Sequence, residues 1–138
     1  MKIIANIGTD LIKLGQSREQ IRKILSTYTR SSFHRDKDEP LTDEYGTLGM
    51  FVYYSKDDLC DGIEFYREAE IYYEGHELFA MSNHELLQLL RHLDENIEIG
   101  FSDVTSNKLG IGFWHPEGVT ESPEKIPESI MVFKDLPQ

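Results

Sequence analysis

The chain is short of several things. It has one cysteine, Cys60, so no internal disulfide is available and the cytoplasm is the expected compartment. No apolar run approaches the roughly 20 residues of a membrane-spanning helix. The opening stretch Met1–Gly8 is interrupted too soon to read as a signal peptide. Basic residues are scarce, with 14 Lys and Arg against 25 Asp and Glu, a net charge of −11. Nucleic acid needs a basic footprint, so neither nucleic acid nor membrane is an expected partner. Catalytic motifs are missing too. There is no nucleophile elbow, and Gly110-Ile111-Gly112 is too short for a dinucleotide fingerprint and falls inside an expected strand.

What is present is enough to fold. Hydrophobic residues make up 39% of the chain and aromatics 11%, which fits one domain over residues 1–138 with a proper core. The charge is uneven: residues 36–77 hold 13 acidic and 3 basic residues, whereas residues 1–35 are net basic. An acidic surface serves solubility in many proteins. Clustered in the middle third, it also attracts cationic partners and steers their approach.

The chain repeats itself. Leu14-Gly15-Gln16-Ser17-Arg18-Glu19-Gln20-Ile21 lines up with Phe79-Ala80-Met81-Ser82-Asn83-His84-Glu85-Leu86 at an offset of 65. Leu48-Gly49-Met50 matches Leu109-Gly110-Ile111 at 61, and Ile63–Tyr66 matches Ile130–Phe133 at 67. A nearly constant period implies two tandem helix-plus-strands units, about 11–75 and 76–133. Each opens with a helix signal. Ser17 with Gln20, and Ser82 with Glu85, form capping boxes. The first helix is expected over 16–28, with Ile21, Ile24, Leu25 and Tyr28 as its apolar stripe and Arg18, Arg22 and Lys23 on its exposed face. In the second, Leu86, Leu87, Leu89, Leu90 and Leu93 form the stripe. Strands are expected at 45–55, 60–66, 70–73, 97–101, 108–115 and 129–133, with Arg30 to Asp43 an edge strand plus loop and 116–127 a loop. Short turns between successive strands imply an α+β arrangement, an antiparallel sheet with helices on one face.

Alternation then assigns the two faces. Val52, Ile63, Phe65, Ile71, Ile99, Ile111, Phe113, Ile130 and Val132 should meet the helices. Tyr53, Glu64, Tyr66, Glu70, Tyr72, Glu74, Glu98, Trp114 and Met131 should point the other way. That mixture of carboxylates and rings is the composition of a recognition surface, the alternative being a face covered by the chain's own long loops.

The isolated chemical signals are weak. His84 and His92 are two helical turns apart, roughly 12 Å, too far to share a metal. Asp57-Asp58-x-x-Asp61 lacks the spacing of a calcium loop and reads as a hairpin tip. Asp58 and Asp61 beside Cys60 raise a thiol's pKa, the wrong direction for a nucleophile. Glu68 and Glu70 are a pair that any acidic chain offers by chance. No catalytic residue, metal or cofactor is expected.

The run Leu-Gly-x-Ser-x-x-x-Ile-x-x-Ile-Leu, the Tyr-rich strand after it, and then Gly62-Ile63-Glu64-Phe65 resemble the helix-first unit of the β-lactamase inhibitor protein fold. Small outer-membrane assembly lipoproteins of the BamE type share that unit. A tandem pair is similar to the inhibitor proteins, whose concave sheet clasps a partner. The chain also resembles the small acidic immunity proteins of bacterial polymorphic toxin systems. The resemblance implies a cytoplasmic protein without catalytic residues that neutralises a toxin domain by covering it. Combined with the charge, it implies a basic partner, with nucleases among the candidates. The competing expectations are a small-molecule-binding domain or enzyme, with a pocket lined by Phe51, Tyr54, Trp114 and His115, and a self-associating module. A monomer or a weak homodimer is expected.

Overall fold

The structure is a computed structural model describing residues 1–134. In chain order its elements are β1 (Ile3–Ile4), β2 (Gly8–Thr9), α1 (Arg18–Ile24), β3 (Ser31–His34), β4 (Leu41–Tyr45), β5 (Met50–Tyr54), β6 (Cys60–Tyr66) and β7 (Tyr72–Tyr73). There follow β8 (His76–Glu77), α2 (Asn83–Leu93), β9 (Glu98–Ile99), β10 (Asp103–Ser106), β11 (Ile111–Trp114) and β12 (Ser129–Phe133). Eight strands form one antiparallel sheet in the order β3-β4-β5-β6-β12-β11-β10-β9. Two short ladders, β1–β2 and β7–β8, lie outside it.

Both helices begin where the sequence places them. The Ser17 hydroxyl accepts from the Gln20 backbone N–H at 3.1 Å, and the Gln20 side-chain Oε1 accepts from the Ser17 N–H at 2.8 Å. Ser82 and Glu85 repeat this at 3.1 Å in both directions. Each box satisfies donors that a helix start otherwise leaves unpaired. The first helix is shorter than expected, ending at Ile24. Ser26 and Thr27 follow, and such side chains compete with helical hydrogen bonding. Its buried stripe is accordingly Ile21 and Leu25, while Ile24 and Tyr28 are exposed.

The arginines of α1 are not the solvated face that the spacing predicted. Asp43, at zero exposure, accepts from the Arg22 Nε at 2.9 Å, the Arg22 Nη2 at 2.8 Å and the Ser32 hydroxyl at 2.7 Å. Arg18 reaches the same carboxylate at 3.4 Å, and its guanidinium lies 4.1 Å from the Tyr54 ring centroid. Helical spacing of four puts both arginines over one carboxylate. In the second half, Asp94 accepts from the Ser106 hydroxyl at 2.7 Å and from the Asn96 N–H at 2.9 Å, tying the end of α2 to β10.

The strand expected at 45–55 is confined to Met50–Tyr54, and Tyr45 instead ends a separate strand that begins at Leu41. Leu41–Tyr45 and Met50–Tyr54 are separated by a 3₁₀ turn over Gly46–Leu48, closed by Gly49 at φ 63°. The strand expected at 108–115 starts only at Ile111, after Gly110 at φ 67°. In both glycines the left-handed backbone is combined with a close approach. A Cβ on Gly49 would stand 2.8 Å from the Ala69 nitrogen, and one on Gly110 2.5 Å from the Phe133 oxygen. Strand β10, Asp-Val-Thr-Ser, carries no apolar alternation and was not anticipated.

The core lies between the sheet and the helices. Val52, Ile63, Phe65, Ile111, Phe113, Ile130 and Val132 are buried as their alternation requires, against Ile21, Leu25, Leu86, Leu87 and Leu90. Each such side chain contributes about 2 kcal/mol through removal from water. Two expectations on this face fail. Ile71 is buried but lies outside the eight-stranded sheet, and Ile99, on the outermost two-residue strand, remains exposed. No helix among the described residues is long and apolar enough to cross a membrane.

Candidate functional site

The helices cover one side of the sheet, and the other side is the candidate site. Cross-strand register places Glu44, Phe51, Glu64, Met131, Gly112, Thr105 and Glu98 in one row across it. A second row runs Tyr66, Ser129, Trp114, Asp103.

Toward β3 the face is closed by its own contacts. The Tyr53 hydroxyl donates to Glu64, and the Arg35 guanidinium stacks 4.0 Å from the Tyr53 ring centroid, leaving Tyr53 buried. The Tyr66 hydroxyl donates to Glu44 at 3.0 Å. Phe51 packs edge-on against Phe33 at 5.9 Å and tilted against Tyr66 at 5.2 Å. Burial, followed by the hydrogen bond to Glu44 and its charge, pushes the Tyr66 hydroxyl up to about 12. Tyr53 is raised further by burial and by Glu64.

Toward β9 the face is open. A concavity of about 440 Å³ is lined by Glu64, Asp103, Thr105, Gly112, Trp114, Met131 and Phe133 among others. Gly112 supplies no side chain at its floor, and Phe133 lies 3.9 Å from where a Cβ would stand. The Met131 methyl lies over Gly62, where a Cβ would come within 2.7 Å of it. Gly112 therefore opens the dent, and Gly62, two strands away, gives the Met131 methyl its place beside it. Trp114 is 43% exposed beside it. Among the described residues, Glu44, Glu64, Glu98 and Asp103 have no ion-pair partner.

Of the residues that the sequence nominated, Tyr53, Glu64, Tyr66 and Trp114 share this face, and Glu98 stands at its edge. Glu70, Tyr72 and Glu74 do not join them. Glu70 lies in the connection after β6, and Tyr72 and Glu74 sit on and beside the separate β7–β8 hairpin. Alternation counted through residues 67–71 lost its meaning where the chain left the sheet. Met131 lies on the face as expected. Asp103, Thr105, Gly112 and Phe133 were missed. The signal available for Gly112 was its place inside an expected strand, where glycine marks close approach.

The pocket expected from Phe51, Tyr54, Trp114 and His115 is not assembled. Tyr54 is on the helix side under Arg18, and buried His115 pairs through Nδ1 with the Ile126 carbonyl at 3.1 Å. Burial pushes the Cys60 thiol up to about 12. Among the described residues, no group of His, Cys, Asp and Glu is arranged to hold a metal ion. Comparison with protein families, characterised proteins and solved structures finds no match to this chain.

Proposed function

We propose that the protein is an inhibitor of the immunity type, a cytoplasmic binding protein that neutralises a basic protein domain, for example a nuclease toxin, by docking it on the open sheet face. The observation that carries this reading is the set of four carboxylates without ion-pair partners spread across this face, Glu44, Glu64, Glu98 and Asp103, together with the exposed ring of Trp114 beside Asp103. A face of this kind speeds encounter with a cation through its field and then holds it through aromatic contact. Like charges also disfavour stacking this face on itself, which argues against the self-associating alternative.

The same reading includes two tandem units, as the resemblance to the inhibitor fold implies. What supports it is the register. Shifting β5 by 61 and β6 by 67 converts Met50 opposite Phe65 into Ile111 opposite Val132, a pair that the sheet contains. The strand order reads the same from both ends toward the β6–β12 seam.

The test is titration calorimetry against the basic toxin domain that this reading expects the neighbouring coding region to encode. Glu64→Lys and Tyr66→Ala should each weaken binding at least about 30-fold, the size of a hot-spot loss. Unchanged affinity in both would overturn the reading. The concavity favours a second reading, a small-molecule site, because its volume lies in the range of ligand pockets. That reading needs convergent polar groups, whereas here Glu64 and Asp103 stand on strands separated by two others.

A further inference from the structure

We infer that the concavity beside Trp114 is the anchor subsite of this face and takes one arginine side chain from a basic protein partner. The inference rests on the docking reading above and names the chemistry at its centre. Unrolled, eight strands about 4.8 Å apart and some five residues long cover roughly 600 Å², somewhat less than the roughly 800 Å² that each partner gives a standard interface. A surface of that size holds a partner well only if one contact is deep and desolvated.

The lining selects the occupant. Met131, Phe133 and the bare backbone of Gly112 offer an apolar trough, which suits the three methylenes of an arginine stem. Asp103 is the direct cross-strand neighbour of Trp114, so an exposed indole and a carboxylate without an ion-pair partner stand side by side at one end. A planar guanidinium can stack on the first while donating to the second. Glu64, opposite Met131, adds negative potential at the other end. A purely apolar side chain would fill the trough but desolvate both carboxylates without compensation, and an anionic one would be repelled. An ammonium lacks the planar fork that serves ring and carboxylate together.

The experiment is an NMR titration of the ¹⁵N-labelled chain with Nα-acetyl-arginine amide and, separately, with its neutral citrulline isostere. The arginine probe should move the amides of Thr105, Gly112 and Met131 and the Trp114 indole signal together and saturably. Citrulline should bind at least about tenfold more weakly. Asp103→Asn should weaken the arginine probe by about tenfold, and Trp114→Leu by a similar factor. Both substitutions are at exposed positions, and the amide spectrum reports directly whether each variant is folded. Equal response to the two probes, shifts scattered away from the concavity, or dent signals that move with protein concentration alone would overturn the inference. If the titration fails while Glu64→Lys still weakens the protein complex, the subsite is wrong and the docking face stands. If arginine binds in the trough while the complex ignores Glu64→Lys and Tyr66→Ala, the docking reading is what fails.

Discussion

Asp43 stays ionised at zero exposure because its surroundings outweigh its burial. Desolvation opposes the charged form, but hydrogen bonds from Arg22 and Ser32 and the charges of Arg22 and Arg18 hold the carboxyl below its ordinary value of 3.8. Asp43→Ala removes that anion and leaves two arginines facing a cavity. The expected loss is about 3 kcal/mol, read by urea denaturation near neutral pH. A depressed folded pKa contributes stability that is fully present above the unfolded value and is lost as pH falls through the folded one. The gap between wild type and Asp43→Ala should therefore stay constant from about pH 5 to 8 and narrow below 3.8. A gap that widens in acid would contradict the assignment. Cys60, with its thiol raised to about 12 by burial, should resist alkylation at pH 8 in the native protein and react promptly once unfolded. Mass spectrometry with and without denaturant checks this.

At the scale of elements, the two helices and two tight turns make paired predictions. Ser17→Ala and Ser82→Ala each open a capping box and should each cost about 1 kcal/mol. Because the two sites are on different helices without shared partners, the double variant should cost close to the sum of both. Gly49→Ala and Gly110→Ala place a Cβ at positive φ against backbone atoms at 2.8 and 2.5 Å. Each should cost more than about 1 kcal/mol, with Gly110 the worse, since its obstacle is the carbonyl oxygen of Phe133 on the central strand β12. Thermal melts followed by circular dichroism give the order. Gly110→Ala milder than Gly49→Ala would show that β12 yields more readily than the backbone at Ala69.

For the molecule as a whole, charge and burial set the response to salt and alkali. With a net charge of −11, binding of a basic partner should weaken steeply as salt rises from 50 to 500 mM, mostly through the association rate. Stopped-flow mixing measures that rate, and a flat profile would remove the field from the account. Burial raises the hydroxyls of Tyr45, Tyr53, Tyr54, Tyr66 and Tyr73 above the ordinary 10. A raised folded pKa contributes stability that is complete below the unfolded value and fades as pH climbs past it. The melting temperature should hold up to about pH 9.5 and fall above 10. Constancy to pH 11.5 would contradict that.

Local signals carried a good part of this protein. Both helix starts were legible because a capping box is a four-residue event, settled by side chains next to the backbone they serve. The helix-facing half of β5, β6, β11 and β12 was legible because period-two alternation survives wherever a strand is half buried. Tertiary structure decided the rest. Whether Arg18 and Arg22 meet water or a carboxylate depends on Asp43, more than 20 residues away, and no local pattern records such a partner. Strand β10 is held by its neighbours β9 and β11 and not by any propensity of Asp-Val-Thr-Ser. Glu70, Tyr72 and Glu74 were assigned to the face by counting through a segment that leaves the sheet, and counting cannot detect a departure. The trough beside Trp114 forms where Gly112 lies bare on the face and Gly62, 50 residues away in sequence and two strands away in the sheet, leaves room for the Met131 methyl. Composition dictated that the chain fold and carry negative charge; long-range strand pairing alone chose where that charge meets an unfilled apolar hollow.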